Sequence, residues 1–170
     1  SFTGKLIRTF HGHTGSVNSL VFLNDGKQLV SGSSDNTLRT WDVATGTNQQ
    51  TFTDNGFQLR QISVTADGQQ LVTVDNDRSV KQWNLADGKK FSRIPFPTIS
   101  KSVFGGLSYQ GDLLAVASGN NTEVINLWKL GEPLPEHRIN TGHPIVGLVF
   151  NPDSSLLASV HQNNEMQIWS

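Results

Sequence analysis

Four tryptophans divide the chain into nearly equal lengths. They stand at Trp41, Trp83, Trp128 and Trp169, with spacings of 42, 45 and 41 residues. Each closes a short apolar–polar alternation: Leu38-Arg39-Thr40-Trp41, Val80-Lys81-Gln82-Trp83, Val124 to Trp128, and Met166-Gln167-Ile168-Trp169. Self-similarity at a fixed period of this size marks a repeat architecture, in which one supersecondary unit cannot bury its apolar surface alone and must stack on copies of itself.

The repeat extends upstream of the tryptophans. Leu23-Asn24-Asp25-Gly26-Lys27-Gln28-Leu29-Val30 matches Thr65-Ala66-Asp67-Gly68-Gln69-Gln70-Leu71-Val72 and returns as Asn151-Pro152-Asp153-Ser154-Ser155-Leu156-Leu157-Ala158. Asp-Gly and Pro-Asp between apolar runs are hairpin turn signals. The shift of 42 also aligns Thr3-Gly4 with Thr45-Gly46, Thr9-Phe10 with Thr51-Phe52, and His13 with Asn55. Each unit therefore reads as four strands; in the first these are Ser16 to Phe22, Gln28 to Gly32, Thr37 to Val43 and an outer Asn48 to Phe52. No stretch carries a helical 3.6 period with caps, so the chain reads as all-β, four repeats long. The units span 14–53, 56–95, 98–140 and 143–170, the last closed by a strand at 5–10.

Composition fits short strands joined by tight turns: 16 glycines and only 16% charged residues. A net charge of −1 with scattered Lys and Arg offers no basic face for nucleic acid or an acidic membrane. Without cysteine there are no disulfides, thiolate nucleophiles or cysteine zinc sites. Residues 1–10 lack the apolar core of a signal peptide, and no apolar run approaches membrane-spanning length, so the expected setting is cytoplasmic.

The first unit carries Gly12-His13, Ser31-Gly32-Ser33-Ser34-Asp35 and Trp41-Asp42. With four units in register, the chain resembles the WD-repeat (WD40) family of β-propellers, whose blades are four-stranded antiparallel sheets set around a channel. The resemblance implies a buried network of His13, Ser31, Asp35 and Trp41. Physical chemistry agrees, since a buried indole N–H needs an acceptor and a hydroxyl can relay the bond to imidazole and carboxylate. The second unit keeps Thr73, Asp77 and Trp83, with Asn55 in place of the His and Asn84 after the tryptophan. The fourth keeps His143, Ser159 and Trp169, with Asn163 at the Asp position. The third retains only Trp128, with Thr122 at the Asp position, and is the most divergent.

Catalytic readings fare poorly. Ser, His and Asp fall in one unit, but the indole engages the hydroxyl and no oxyanion donor pattern surrounds it. Asp75-Asn76-Asp77-Arg78-Ser79 resembles the start of a calcium loop, yet its sixth and twelfth positions are Val80 and Ala86. The first strands, including Val17-Asn18-Ser19-Leu20 and Ile145-Val146-Gly147-Leu148, bring no carboxylate or imidazole to the channel. No cofactor or metal is expected, and the chain is read as no enzyme.

A non-catalytic protein–protein interaction scaffold is the expectation, resting on the resemblance. It implies binding on the loops before each first strand and between each second and third strand: His11 to Gly15 with Ser33-Ser34, Asp54 to Phe57 with Asp75-Asn76, Phe96 to Thr98 with Gly119-Asn120, and Thr141 to Pro144 with His161-Gln162. His11, Phe57, Asp75, Phe96, His161 and Gln162 are the candidate contacts for a protein or peptide. The alternative is a regulatory or sensing module of a larger signalling protein; a propeller enzyme ranks below both.

The family closes rings of seven or eight blades, whereas this chain supplies four. Two copies forming an eight-bladed ring, each N-terminal strand completing the other chain's last blade, is the favoured expectation. A piece of a longer propeller and a closed four-bladed ring stay open beside it.

Overall fold

The computed structural model describes residues 4–23, 26–53, 59–65, 67–75, 79–95, 104–117, 123–132 and 134–170. Asn55, Phe57, Asn76, Asp77, Phe96, Gly119, Asn120 and Thr122 lie outside the described residues.

The strands are β1 (Val17–Leu23), β2 (Gln28–Ser33), β3 (Thr37–Asp42) and β4 (Asn48–Thr53), then β5 (Leu59–Val64), β6 (Gln70–Asp75), β7 (Ser79–Asn84) and β8 (Lys90–Pro95). They continue as β9 (Phe104–Leu107), β10 (Leu113–Ala117), β11 (Val124–Lys129), β12 (His137–Asn140), β13 (Ile145–Phe150), β14 (Leu157–His161) and β15 (Met166–Trp169). Each consecutive set forms one antiparallel meander: β1-β2-β3-β4, β5-β6-β7-β8, β9-β10-β11-β12, and the three-stranded β13-β14-β15. The four strands expected in the first unit fall within one residue of those observed.

The turns repeat as faithfully as the strands. Asp42 and Asn84 each follow a tryptophan, and their side chains accept from the amides of Thr45 and Ala86. Gly46 and Gly88 then return their amides to the carbonyls of Asp42 and Asn84 at φ of 77° and 68°, a left-handed conformation that favours glycine. The first-strand pairing slips by one residue at Val17/Ser19, Leu59/Gln61 and Ile145/Gly147. A bulge at the same place in three sheets bends and twists each inner strand alike.

The core lies between the sheets. Leu23, Val30, Leu38 and Phe52 of the first sheet pack against Leu59, Ile62, Leu71, Trp83 and Leu85 of the second. Val72, Val74 and Val80 meet Leu114, Val116 and Trp128 of the third, and Ala115, Ala117 and Ile125 meet Ile145 and Leu157 of the fourth. Gly32 sits in the first of these contacts, where a Cβ would run into the side chain of Leu59. The inner strands accordingly lie side by side in the order β1, β5, β9, β13, and among the described residues β13 does not touch β1.

Residues 5–10 join no sheet; they lie against the first one, where the Arg8 guanidinium donates to the Thr45 carbonyl at 3.0 Å and the Phe10 ring meets Trp41 edge-on at 5.7 Å. The strand-like sequence finds no free strand edge beside it in this chain, and backbone groups without a ladder partner stay in water.

Because each sheet is held by its neighbours, Leu38→Ala should cost about 2–5 kcal/mol, the range for truncating a fully buried leucine. Urea unfolding checks this, with exposed Thr51→Ala as the near-neutral control.

Candidate functional site

In the first sheet the tryptophan, serine, histidine and aspartate form a continuous relay. Ser31 on β2 and Trp41 on β3 share one face, because alternate residues of a strand point the same way and Leu29, two before Ser31, pairs with Trp41. The Trp41 indole N–H donates to Ser31 Oγ at 2.7 Å. Ser31 Oγ lies 2.6 Å from His13 Nε2, and His13 Nδ1 lies 2.8 Å from Asp35 Oδ2. One proton arrangement satisfies every partner: serine donates to Nε2, and Nδ1–H donates to the carboxylate. Asp35 also accepts from the Thr14 amide at 3.0 Å and from the Thr37 hydroxyl at 2.6 Å.

Burial alone would push the Asp35 carboxyl up. Hydrogen bonds from the Thr37 hydroxyl, the Thr14 amide and the His13 ring outweigh it and hold the group well below the usual carboxylate range. The hydroxyl of Ser31 is buried and already accepts from an indole, which removes it from reach of a substrate. The geometry makes this a clamp: it ties the loop before β1 to the turn after β2. Gly15 in that loop approaches so closely that a Cβ would stand 2.7 Å from the Asp35 amide nitrogen.

The other sheets solve the same problem differently. In the second, the Trp83 indole donates to Thr73 Oγ1 at 3.3 Å, and Thr73 Oγ1 lies 3.4 Å from Asp75 Oδ2. Asp75 was expected at a binding surface. It is instead the last residue of β6, fully buried, with the Lys81 ammonium 3.0 Å away and buried as well. Two residues beyond Thr73 on the same strand face, it turns inward by the strand period. An ion pair in such surroundings needs both partners. The Asp75–Lys81 pair was missed in the sequence; the signal was a lysine two residues before a tryptophan, on the tryptophan's own face.

The fourth sheet requires a second correction. The Trp169 indole donates to Ser159 Oγ at 2.9 Å, and Ser159 lies 2.8 Å from His161 Nε2. The imidazole of the relay thus belongs to His161, which is 2% exposed, and not to His143. His143 is exposed and contributes its backbone carbonyl, 3.1 Å from His161 Nδ1. His161 stands two residues after Ser159 on β14 and needs no loop to reach it, so its assignment as an exposed contact residue also falls. Asn163 is exposed; its Oδ1 accepts from the Glu165 amide at 3.3 Å, as Asp35 Oδ1 accepts from the Thr37 amide at 2.9 Å. In the third sheet Val116 stands opposite Asn126, two residues beyond Leu114, so the hydroxyl of the relay is missing there while Trp128 remains buried.

At the loop end, the first and fourth sheets share one tie. The Ser34 amide donates to the Ser16 carbonyl at 2.8 Å, and the Gln162 amide to the Pro144 carbonyl at 2.9 Å. His11 and Gln162 are exposed there, as are Thr14 and Ser34. Phe57 and Phe96 lie outside the described residues. Among the described residues no group of three or more His, Asp or Glu is placed to hold a metal ion.

The model of the family described as WD domain, G-beta repeat matches residues 4–42, 46–84 and 135–170, about two thirds of the chain. The chain belongs to the WD-repeat family. The matched units 46–84 and 135–170 begin with the outer strands β4 and β12 and end at the tryptophan strand of the following sheet, so each straddles two of the sheets seen here. The matches leave out 85–134, which holds most of the third sheet, the one lacking the relay hydroxyl. The chain is 26% identical over 166 residues to WD repeat-containing protein slp1 of Schizosaccharomyces pombe, covering 96% of this chain and 25% of that protein. It is 27% identical over 160 residues to Periodic tryptophan protein 2 of Arabidopsis thaliana, covering 93% and 18% respectively. Guanine nucleotide-binding protein subunit beta of the same plant is 42% identical over 52 residues, 31% of this chain and 14% of that protein. This WD-repeat chain therefore spans between a seventh and a quarter of the length of these relatives.

Two outcomes check the relay. Ser31→Ala leaves the Trp41 N–H and the His13 ring without their shared partner and should cost about 1–3 kcal/mol in urea unfolding. Because the folded Asp35 carboxyl is held below its unfolded value of 3.8, its contribution is complete above that pH and declines as pH falls toward the folded value. Asp35→Asn should be less stable than the parent at neutral pH and lose less further stability between about pH 4 and pH 2.

Proposed function

We propose that the chain is a non-catalytic protein-interaction scaffold that presents its loops on a rigid propeller face, and that it works as half of an eight-bladed ring. The observation that carries the reading is the use made of its polar residues. The serine, histidine and aspartate of the first sheet are spent on fastening two loops, while His11, Thr14 and Ser34 beside them stay open to solvent. The backbone tie at Ser34–Ser16 recurs at Gln162–Pro144, which gives two sheets a common loop end. Loops held by a rigid scaffold are where recognition concentrates. The relatives' names point the same way, since one of them is a subunit of a guanine nucleotide-binding protein.

A second reading is a regulatory propeller module within a larger protein. The relatives that match almost the whole of this chain are about four and about five times its length, which favours that setting. Both readings use the same loop face.

Selection from a random peptide library tests the proposal. Enriched peptides should bind the parent and lose about tenfold or more in affinity to His11→Ala/Gln162→Ala, a loss of roughly 1.4 kcal/mol or more. Thr45→Ala, at the opposite turns, should bind as the parent does. Absence of any enriched peptide, or equal loss in both variants, would sink the loop-face assignment.

A further inference from the structure

A cleft of about 570 Å³ opens between the first and second sheets, beside the β5–β6 and β7–β8 turns. It lies at the end away from His11 and Ser34, and both sheets that wall it are four-stranded and packed directly on one another. Its size suits a ligand site. Leu23 and Leu85, both buried, give it an apolar floor. The polar residues around it are Thr40, Gln28, Gln49, Gln50 and Gln69.

Two features of the first sheet make the room. The residue before the tryptophan is Thr40 here, whereas the second sheet has the buried Gln82 and the third has Leu127, packed against its neighbours. The shorter side chain leaves space. In addition, β4 carries one extra residue, Gln49, between the pairs Thr40–Gln50 and Trp41–Asn48, and a bulge of this kind re-aims a side chain. Gln49 Oε1 accepts from the Gln28 amide at 2.7 Å, and the Gln50 amide donates to the Ala86 carbonyl at 3.2 Å. These bonds hold both side chains and leave the Gln49 amide nitrogen and the Gln50 amide oxygen for a ligand.

Thr40 is 5% exposed and lines the cleft, yet its hydroxyl has no hydrogen-bond partner among the described residues. A hydroxyl held out of bulk water without a partner is unfavourable, and a ligand that bonds it removes the penalty. The rest of the lining selects the ligand. It has no ionisable side chain, so a charged group would lose its hydration and meet no counter-charge. It has no aromatic ring and thus no stacking platform for a nucleobase. It offers primary amides, each with two donors and an acceptor, over an apolar floor. Those match the N–H and C=O groups of a peptide main chain carrying small or apolar side chains.

We propose that this cleft is a second binding site, taking an extended, uncharged peptide segment of a protein partner with a main-chain amide on the Thr40 hydroxyl. The site is separate from the loop face and does not depend on it.

An array of acetylated and amidated hexapeptides tests this on the 170-residue chain, half of them free of Asp, Glu, Lys and Arg and half rich in them. The uncharged members should bind in preference. Thr40→Leu, which fills the cleft with the residue found before Trp128, should weaken them about tenfold or more. Gln49→Ala/Gln50→Ala should do the same, and because both side chains are exposed this variant keeps its fold. Thr40→Val retains the shape without the hydroxyl and should lose about threefold or more. His11→Ala/Gln162→Ala should bind these peptides as the parent does. Preference for the charged members, or binding of neither half, would overturn the proposal. So would binding that Thr40→Leu and Gln49→Ala/Gln50→Ala both leave unchanged. Loss in His11→Ala/Gln162→Ala alone would assign the peptides to the loop face and overturn the cleft while sparing that face.

Discussion

An antiparallel sheet of four short strands has two faces and no interior. In this chain the faces are apolar where a neighbour stands: Leu38, Val80 and Ile125 occupy one repeated position and are each fully buried by the sheet that follows. No single sheet holds enough apolar contact to offset the conformational entropy of ordering its strands. The repeated bulges, the turn glycines and the residues kept small at Gly32 all serve this face-to-face contact. The apolar face is therefore what sets the period, and the exposed faces at the two ends of the arc are its direct consequence.

The polar relays solve a second problem that such stacking creates. Each tryptophan brings an N–H into the contact, and a buried donor requires an acceptor. The first sheet supplies a serine backed by imidazole and carboxylate, and thereby anchors a loop. The second supplies a threonine beside the Asp75–Lys81 pair, and the fourth a serine backed by a histidine from its own strand. Only in the first does the relay's imidazole come from the loop before the sheet. Rigid presentation of a loop is thus a property of particular sheets and not of the repeat as such.

Much of this was legible in the residues. The tryptophan period, the hairpin turns and the strand alternation are local signals, and they located the sheets and the Ser31–Trp41 pairing. His13 and Asp35 were legible through family resemblance. His143 was assigned from the family pattern and His161 and Asp75 to loops, whereas strand alternation turns the residue two beyond the hydroxyl toward the tryptophan. Read by that period, His161 and Asp75 would have been inward-facing from the start.

Strand order within each meander, its turns and its one-sided relays follow from the sequence alone, because neighbouring strands are joined by short turns and their partners lie a few residues away. Which side chain of the neighbouring strand meets Asp75 depended on register across strands, which sets Thr73 opposite Lys81. That is settled by packing over the whole sheet. The exposure of Leu20 and Met166 was decided at the level of tertiary structure too, since whether a repeated apolar position is buried depends on whether a neighbouring sheet stands over it.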